Sequence, residues 1–241
     1  MKVVCLVPSW TETLIEAGID VVGRTRFCIH PADKVKNIAV VGGTKNFNLQ
    51  KILQLKPDIV ILDKEENTIE MANVLTEHSI RWFSTHVTNL RSCAEELLKL
   101  SEIFNHNTYL IKWSEQYLSL IQSKDYNLHF QNLKDLKINY VIWKNPWMCV
   151  SKNTFIGSVI DKLGIQLHES SQNLNKKYFE ISELDLKNAY CLFSTEPFPF
   201  EKEMKKLLNE GFKGELINGE SISWFGLRNL KFMLSLKAVP K

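Results

Sequence analysis

Leu49-Gln-Lys-Ile-Leu-Gln-Leu-Lys-Pro-Asp-Ile-Val-Ile-Leu-Asp-Lys-Glu65 is the stretch on which the fold turns. It reads as a short helix over 49–55 that stops at Lys56-Pro57, because proline disfavours helical geometry in the residue before it. The apolar run over 58–62 is of the kind buried in parallel sheets, and the acidic residues Glu65 and Glu66 come soon after it. Upstream, residues 3–7 read as a strand. Ser9-Trp10-Thr11-Glu12 has the form of a capping box opening a helix that ends at Gly18. Short strands are expected at 21–25, 38–41 and 81–84, with a helix over 68–78. That βαβαβ order implies a mostly parallel, right-handed sheet covered by helices.

From 88 to about 123 no strand is expected. Leu90, Ala94, Leu97, Leu98 and Phe104 form one helical stripe, and Tyr109, Trp113, Tyr117, Leu120 and Ile121 form another. A polar stretch over 124–137 follows, then strands at 138–143 and 189–194 with helices at 154–163, 199–209 and 223–236. The fold class is therefore α/β: two α/β lobes with mostly parallel sheets joined by a long backbone helix. The divisions are an N-terminal lobe 1–104, a bridging helix 105–126 and a C-terminal lobe 127–241. Ile181-Ser-Glu-Leu-Asp-Leu-Lys-Asn-Ala-Tyr-Cys-Leu-Phe-Ser-Thr-Glu196 repeats the helix, strand, acidic-residue order of 49–65. If both lobes are alike, their strands' carboxyl ends face a common cleft, where open α/β sheets bind ligands.

Composition narrows the rest. A hydrophobic content of 44% over 241 residues supports a packed core and excludes disorder, collagen-like repeats and coiled coil. The 30 basic and 27 acidic residues leave a net charge of only +3, which gives no reason to expect nucleic acid. No apolar run approaches the roughly 18 residues of a membrane span. The N-terminus reads as a strand rather than a signal peptide. The expectation is a monomer that is cytoplasmic as given, and periplasmic only if the N-terminus was trimmed. The five cysteines have no disulfide or zinc-finger spacing. Four read as buried small hydrophobes, with Cys28 the exception.

Common catalytic signatures are absent, and Val41-Gly-Gly-Thr-Lys45 lacks phosphate-loop spacing, reading instead as a turn before a helix. Aromatics stand out. Trp82 and Trp113 read as core residues. Trp10, Trp143, Trp147, Phe198 and Trp224 fall at strand ends or helix starts, where flat faces can meet a large planar ligand. Cys28 and His30 alternate along one extended face. They could ligate a metal together with His86 or one of Glu65, Glu66 and Glu196. A structural histidine is the plainer reading of His30, and Glu12 reads first as a capping residue.

Taken together, several stretches resemble one family: Leu6-Val-Pro-Ser-Trp-Thr-Glu12, Gly23-Arg-Thr-Arg-Phe-Cys-Ile-His-Pro31, Val41-Gly-Gly-Thr-Lys-Asn-Phe-Asn-Leu49 and Leu55-Lys-Pro-Asp-Ile-Val60. Asn67, Pro146-Trp-Met-Cys-Val-Ser151 and Ser223-Trp-Phe225 extend the likeness. The chain resembles the class III substrate-binding proteins of ABC importers, the helical-backbone metal receptors, and most of all their B12-binding branch. The resemblance implies two lobes bridged by a helix over 108–123, with a ligand held between them. It also places Phe27 and Trp224 where such a binder lines its pocket with aromatics. Thr44 and Asp63 stand where the B12 binder carries tryptophans. Gln50 and Gly226 stand where such proteins carry the glutamates that dock onto an ABC permease.

The resulting expectation is a non-catalytic binder of a large metal chelate: cobalamin or another corrinoid first, haem or a ferric siderophore next. Trp10, Phe27, Trp143, Trp147, Phe198 and Trp224 would pack on its faces. Lys45, Arg228, Glu65, Glu66 and Glu196 would meet its polar edge. Two alternatives stay open: a bare Zn, Mn or Fe ion held by Cys28, His30 and His86, or an enzyme using Glu65 or Glu196 as general acid.

Overall fold

The structure is a computed structural model that describes residues 1–123, 130–133, 136–168 and 175–236; most of the polar stretch read over 124–137 lies outside them. Two compact units divide the chain. Unit 1 is Met1–Val87, Arg91–Leu118 and Phe225–Leu230, and unit 2 is Thr88–Leu90, Ser119–Trp224 and Lys231–Lys241.

Through unit 1 the chain runs β1 (Lys2–Cys5), α1 (Pro8–Glu16), β2 (Asp20–Thr25), α2 (Ala32–Val35), β3 (Ala39–Gly42), α3 (Leu49–Leu55), β4 (Ile59–Asp63), α4 (Ile69–Glu77), β5 (Trp82–Thr85), α5 (Leu90–Ile103) and α6 (Thr108–Gln122). The sheet has order β3-β2-β1-β4-β5 and every pairing in it is parallel. Two adjacent inner strands, β1 and β4, explain the apolar runs: Val3–Cys5 and all of β4 are buried, because helices cover both faces. α3 keeps the bounds its sequence sets. Asn48 caps it by accepting from Lys51 N, and Lys56 closes it in the left-handed region (φ 48°) ahead of Pro57.

The start of α1 differs from the capping-box expectation. Pro8 opens the helix, Val7 is its N-cap, and no side chain caps it. Ser9 lies inside, and the Glu12 carboxylate binds Arg228 instead. Trp82 also departs from its core reading. It begins the edge strand β5 with 37% exposure and donates from Nε1 to Thr76 Oγ1.

The chain continues with β6 (Lys137–Trp143), β7 (Met148–Val150), α7 (Phe155–Lys162), β8 (Gln166–Leu167), β9 (Tyr178–Glu180), α8 (Glu183–Lys187), β10 (Tyr190–Ser194), α9 (Met204–Asn209), β11 (Lys213–Ile217) and α10 (Gly219–Ser223) in unit 2, and ends with α11 (Leu227–Ser235), whose first four residues belong to unit 1. The sheet of unit 2 is mixed, in the order β11-β10-β6-β7-β9, with β8 also on β6. β10 is parallel to both β6 and β11, whereas β7 runs antiparallel to β6 and β9. The core here is aromatic: Trp147, Phe179, Phe193, Phe200 and Phe212 pack with Val141, Leu186 and Leu207.

Two expected helices are interrupted. The 199–209 helix becomes a 3-10 turn, Phe200–Lys202, followed by α9. The 223–236 helix breaks at Trp224, whose extended backbone ends α10, and at Gly226, whose φ is +84°. A Cβ at position 226 would lie 2.4 Å from Thr13 Oγ1 and 3.1 Å from the Trp10 ring. No side chain fits there, so this fold requires the glycine at 226. Gln50 lies exposed in the first turn of α3.

Candidate functional site

In a parallel sheet, ligands bind beyond the carboxyl ends of the strands, near the point where strand order reverses. In unit 1 that point lies between β1 and β4. Asn67 braces it. Nδ2 donates to Leu6 O (3.1 Å) and Thr44 O (2.8 Å), while Oδ1 accepts from Asp63 N (2.8 Å). One buried amide thereby ties together the loops that follow β1, β3 and β4.

Asp63, the last residue of β4, is fully buried. Its Oδ2 accepts from Thr85 Oγ1 at 2.6 Å, and its Oδ1 accepts from Glu65 N at 2.9 Å. Burial pushes its carboxyl above the usual range, against the pull of these bonds and one from the Val87 backbone. Thr85 also accepts from Trp10 Nε1 at 2.8 Å. A tryptophan could not replace Asp63 without breaking this network.

Around that brace, the carboxyl edge of unit 1 presents several of the expected residues. Phe27 follows β2 and is 47% exposed. Lys45 follows the Gly42-Gly43 turn and donates from Nζ to Glu65 O at 2.9 Å. Glu65 and Glu66 follow β4, and His86 follows β5 with Nε2 3.4 Å from Glu65 Oε1. Arg26, which the sequence reading passed over, lays its guanidinium over the Phe27 ring, 4.8 Å from the centroid. The adjacent cation and aromatic at a strand end were the available signal for it.

The carboxyl edge of unit 2 is built alike. Glu196 lies two residues beyond β10, as Glu65 lies two beyond β4, and in each case the last strand residue accepts from the acid's own N–H: Ser194 Oγ at 3.4 Å, Asp63 Oδ1 at 2.9 Å. Both are side-chain turns of the kind Asp and Ser favour. Glu196 Oε1 accepts from Ser223 Oγ at 2.8 Å. Trp143 ends β6 with 41% exposure, its ring edge-on to Phe198 with centroids 5.7 Å apart. Trp224, partly buried, follows α10.

Three expected contacts lie elsewhere. Trp10 has no exposed surface and packs on Phe225 at 5.0 Å. Trp147 is 8% exposed and stacked on Phe200 inside the unit 2 core. Arg228 holds Glu12 in a two-point pair, Nε to Oε2 at 2.7 Å and Nη2 to Oε1 at 2.9 Å. The rings are used in packing and the guanidinium in an internal ion pair. Cys28 is likewise buried, 3.1 Å from the Thr11 and Thr25 hydroxyls, and burial raises its thiol above the ordinary range. It therefore joins the other four as an internal cysteine. Among the described residues, no three His, Cys, Asp or Glu side chains are placed to hold a metal ion, so Cys28, His30 and His86 do not converge.

Residues 3–190 match the protein family described as periplasmic binding protein. The chain belongs to that family. The vitamin B12-binding protein of Salmonella choleraesuis (strain SC-B67) is 29% identical to this periplasmic binding protein family member over 100 residues, 42% of this chain. That match spans only 37% of the relative's own length. Two solved structures share the fold. The periplasmic vitamin B12 binding protein BtuF of Vibrio cholerae superposes with a TM-score of 0.74 at 16% identity, covering 98% of this chain and 94% of its own. A periplasmic heme binding protein from Pseudomonas aeruginosa gives 0.78 at 18% identity, with 98% and 91% covered. These relatives are binding proteins by name. Among the described residues, no helix of this family member is long and apolar enough to cross a membrane.

Proposed function

We propose that the chain binds a large metal chelate without transforming it, a corrinoid first and a haem or ferric siderophore second. The observation that carries this reading is the set of exposed or half-buried aromatic and charged side chains at the carboxyl ends of the strands of each sheet. In unit 1 these are Phe27, Lys45, Glu65 and Glu66, and in unit 2 Trp143, Glu196, Phe198 and Trp224. Aromatic faces suit a planar ring system, and the charged groups suit its polar rim. The B12-binding relative and the heme-binding fold neighbour support the ligand class.

Equilibrium dialysis against cobalamin, cobinamide, haemin and ferric siderophores tests it. Saturable one-to-one uptake is the expected result, and no uptake of any chelate would overturn the reading. Phe27→Ala and Trp143→Ala should each weaken binding by about 1–3 kcal/mol, the scale of a lost aromatic contact.

A further inference from the structure

The ligand class leaves open what the protein recognises at the rim of the chelate, and Arg26 bears on that. Three features position the residue, one at its backbone and two at its guanidinium. Its backbone N–H donates to Gly42 O at 2.8 Å, extending the β2–β3 pairing one residue beyond Thr25. Its Cζ sits 4.8 Å from the Phe27 ring centroid. On another side it packs against the Gly42-Gly43 turn, where a Cβ on Gly43 would fall 3.4 Å from Nη2 and 3.5 Å from Cζ. The turn is itself held by Gly43 N donating to Asn46 O at 2.7 Å. Among the described residues, no carboxylate pairs with Arg26, although Glu16, Glu65, Glu96 and Glu203 all take cationic or imidazole partners.

A planar, always-charged fork held by an aromatic ring and a glycine turn is suited to an oxyanion, which it meets with two parallel hydrogen bonds. Lys45, two residues past Gly43, gives its Nζ to Glu65 O and can serve only as a point charge beside it. We infer that Arg26 is an anion-recognition residue and that the chelate carries a carboxylate or a phosphodiester on its rim. The inference rests on the chelate-binding reading and narrows it.

Two matched ligand pairs test it: haemin against its dimethyl ester, and cobalamin against cobinamide, which lacks the phosphodiester loop. The wild-type protein should prefer the anionic member of one pair by roughly tenfold or more. Which pair shows it identifies the anion. Arg26→Gln should abolish that preference by weakening the anionic member alone. Arg26→Lys, which keeps the charge without the fork, should retain part of it. Arg26 is exposed, so all three proteins should have the same melting temperature. No preference in the wild type, or one that Arg26→Gln leaves unchanged, overturns the inference while chelate uptake itself stands. Failure of every chelate to bind would remove the functional reading and this inference together.

Discussion

Asp63 shows how one buried carboxylate can be pulled in two directions. Donors from Thr85, Glu65 and Val87 favour its charged form, and burial opposes them with the larger effect. Its folded pKa thus lies above the unfolded value of about 3.9. The native state binds the proton more tightly than the unfolded chain. The stability this gives is fully present below the unfolded pKa and is lost as pH rises through the folded one. Asp63→Asn, neutral at every pH, should therefore gain stability relative to the wild type between pH 4 and 7. Paired urea titrations at the two pH values would show it, and the opposite drift would mean that the donors outweigh burial. The Glu12–Arg228 pair lies on the same scale. Its carboxylate side chain is only 8% exposed, so Arg228→Met should destabilise by about 3 kcal/mol through an uncompensated charge. The double variant Glu12→Gln/Arg228→Met should lose less than the sum of the two single changes. Neither partner is legible alone: Ser9 and Glu12 have capping-box spacing, and the arginine that takes the carboxylate is 216 residues away.

At the scale of elements, signals carried by neighbouring residues proved readable. Lys56-Pro57 ends α3, the doubly buried run gives β4, and Asn105-His106-Asn107 separates α5 from α6. Asn48→Ala should cost about 1 kcal/mol as the N-cap of α3 is lost, a shift that chemical denaturation would detect. Elements that depend on distant partners were not readable. β11 begins Lys213-Gly214-Glu215 with no apolar alternation, and it exists because β10 offers a parallel edge. The strand-end aromatics divided on the same ground. Trp143 and Trp147 share one short stretch, yet Trp147 stacks on Phe200, across 53 residues of chain, whereas Trp143 stays exposed. Trp147→Ala should then cost about 3–5 kcal/mol of stability, unlike Trp143→Ala, in thermal or urea unfolding. Phe27, Lys45, Glu65 and Glu196 lie beyond the carboxyl ends of strands, and their contact with a ligand remains part of the proposal. Arg26 was missed because its footing is the backbone of another loop.

At the scale of the whole molecule, the chain order and the two compact units do not coincide. Unit 1 includes Phe225–Leu230, from near the far end of the chain. Phe225 covers Trp10, Gly226 N donates to Cys93 Sγ, Tyr117 donates to Gly226 O, and Leu227 N donates to Thr13 Oγ1. Gly226→Ala would force a Cβ into Thr13 at a backbone angle that L-residues avoid. Destabilisation of more than about 2 kcal/mol should follow in denaturant titrations of the intact protein. The same segment sets a timetable for biosynthesis. Residues 225–230 are synthesised more than 100 residues after Tyr117 and more than 200 after Trp10. Until then Trp10 and Tyr117 lack their covering partners and Glu12 its counter-charge. A stop codon ahead of residue 225 would be expected to strike the part of the protein that was translated first.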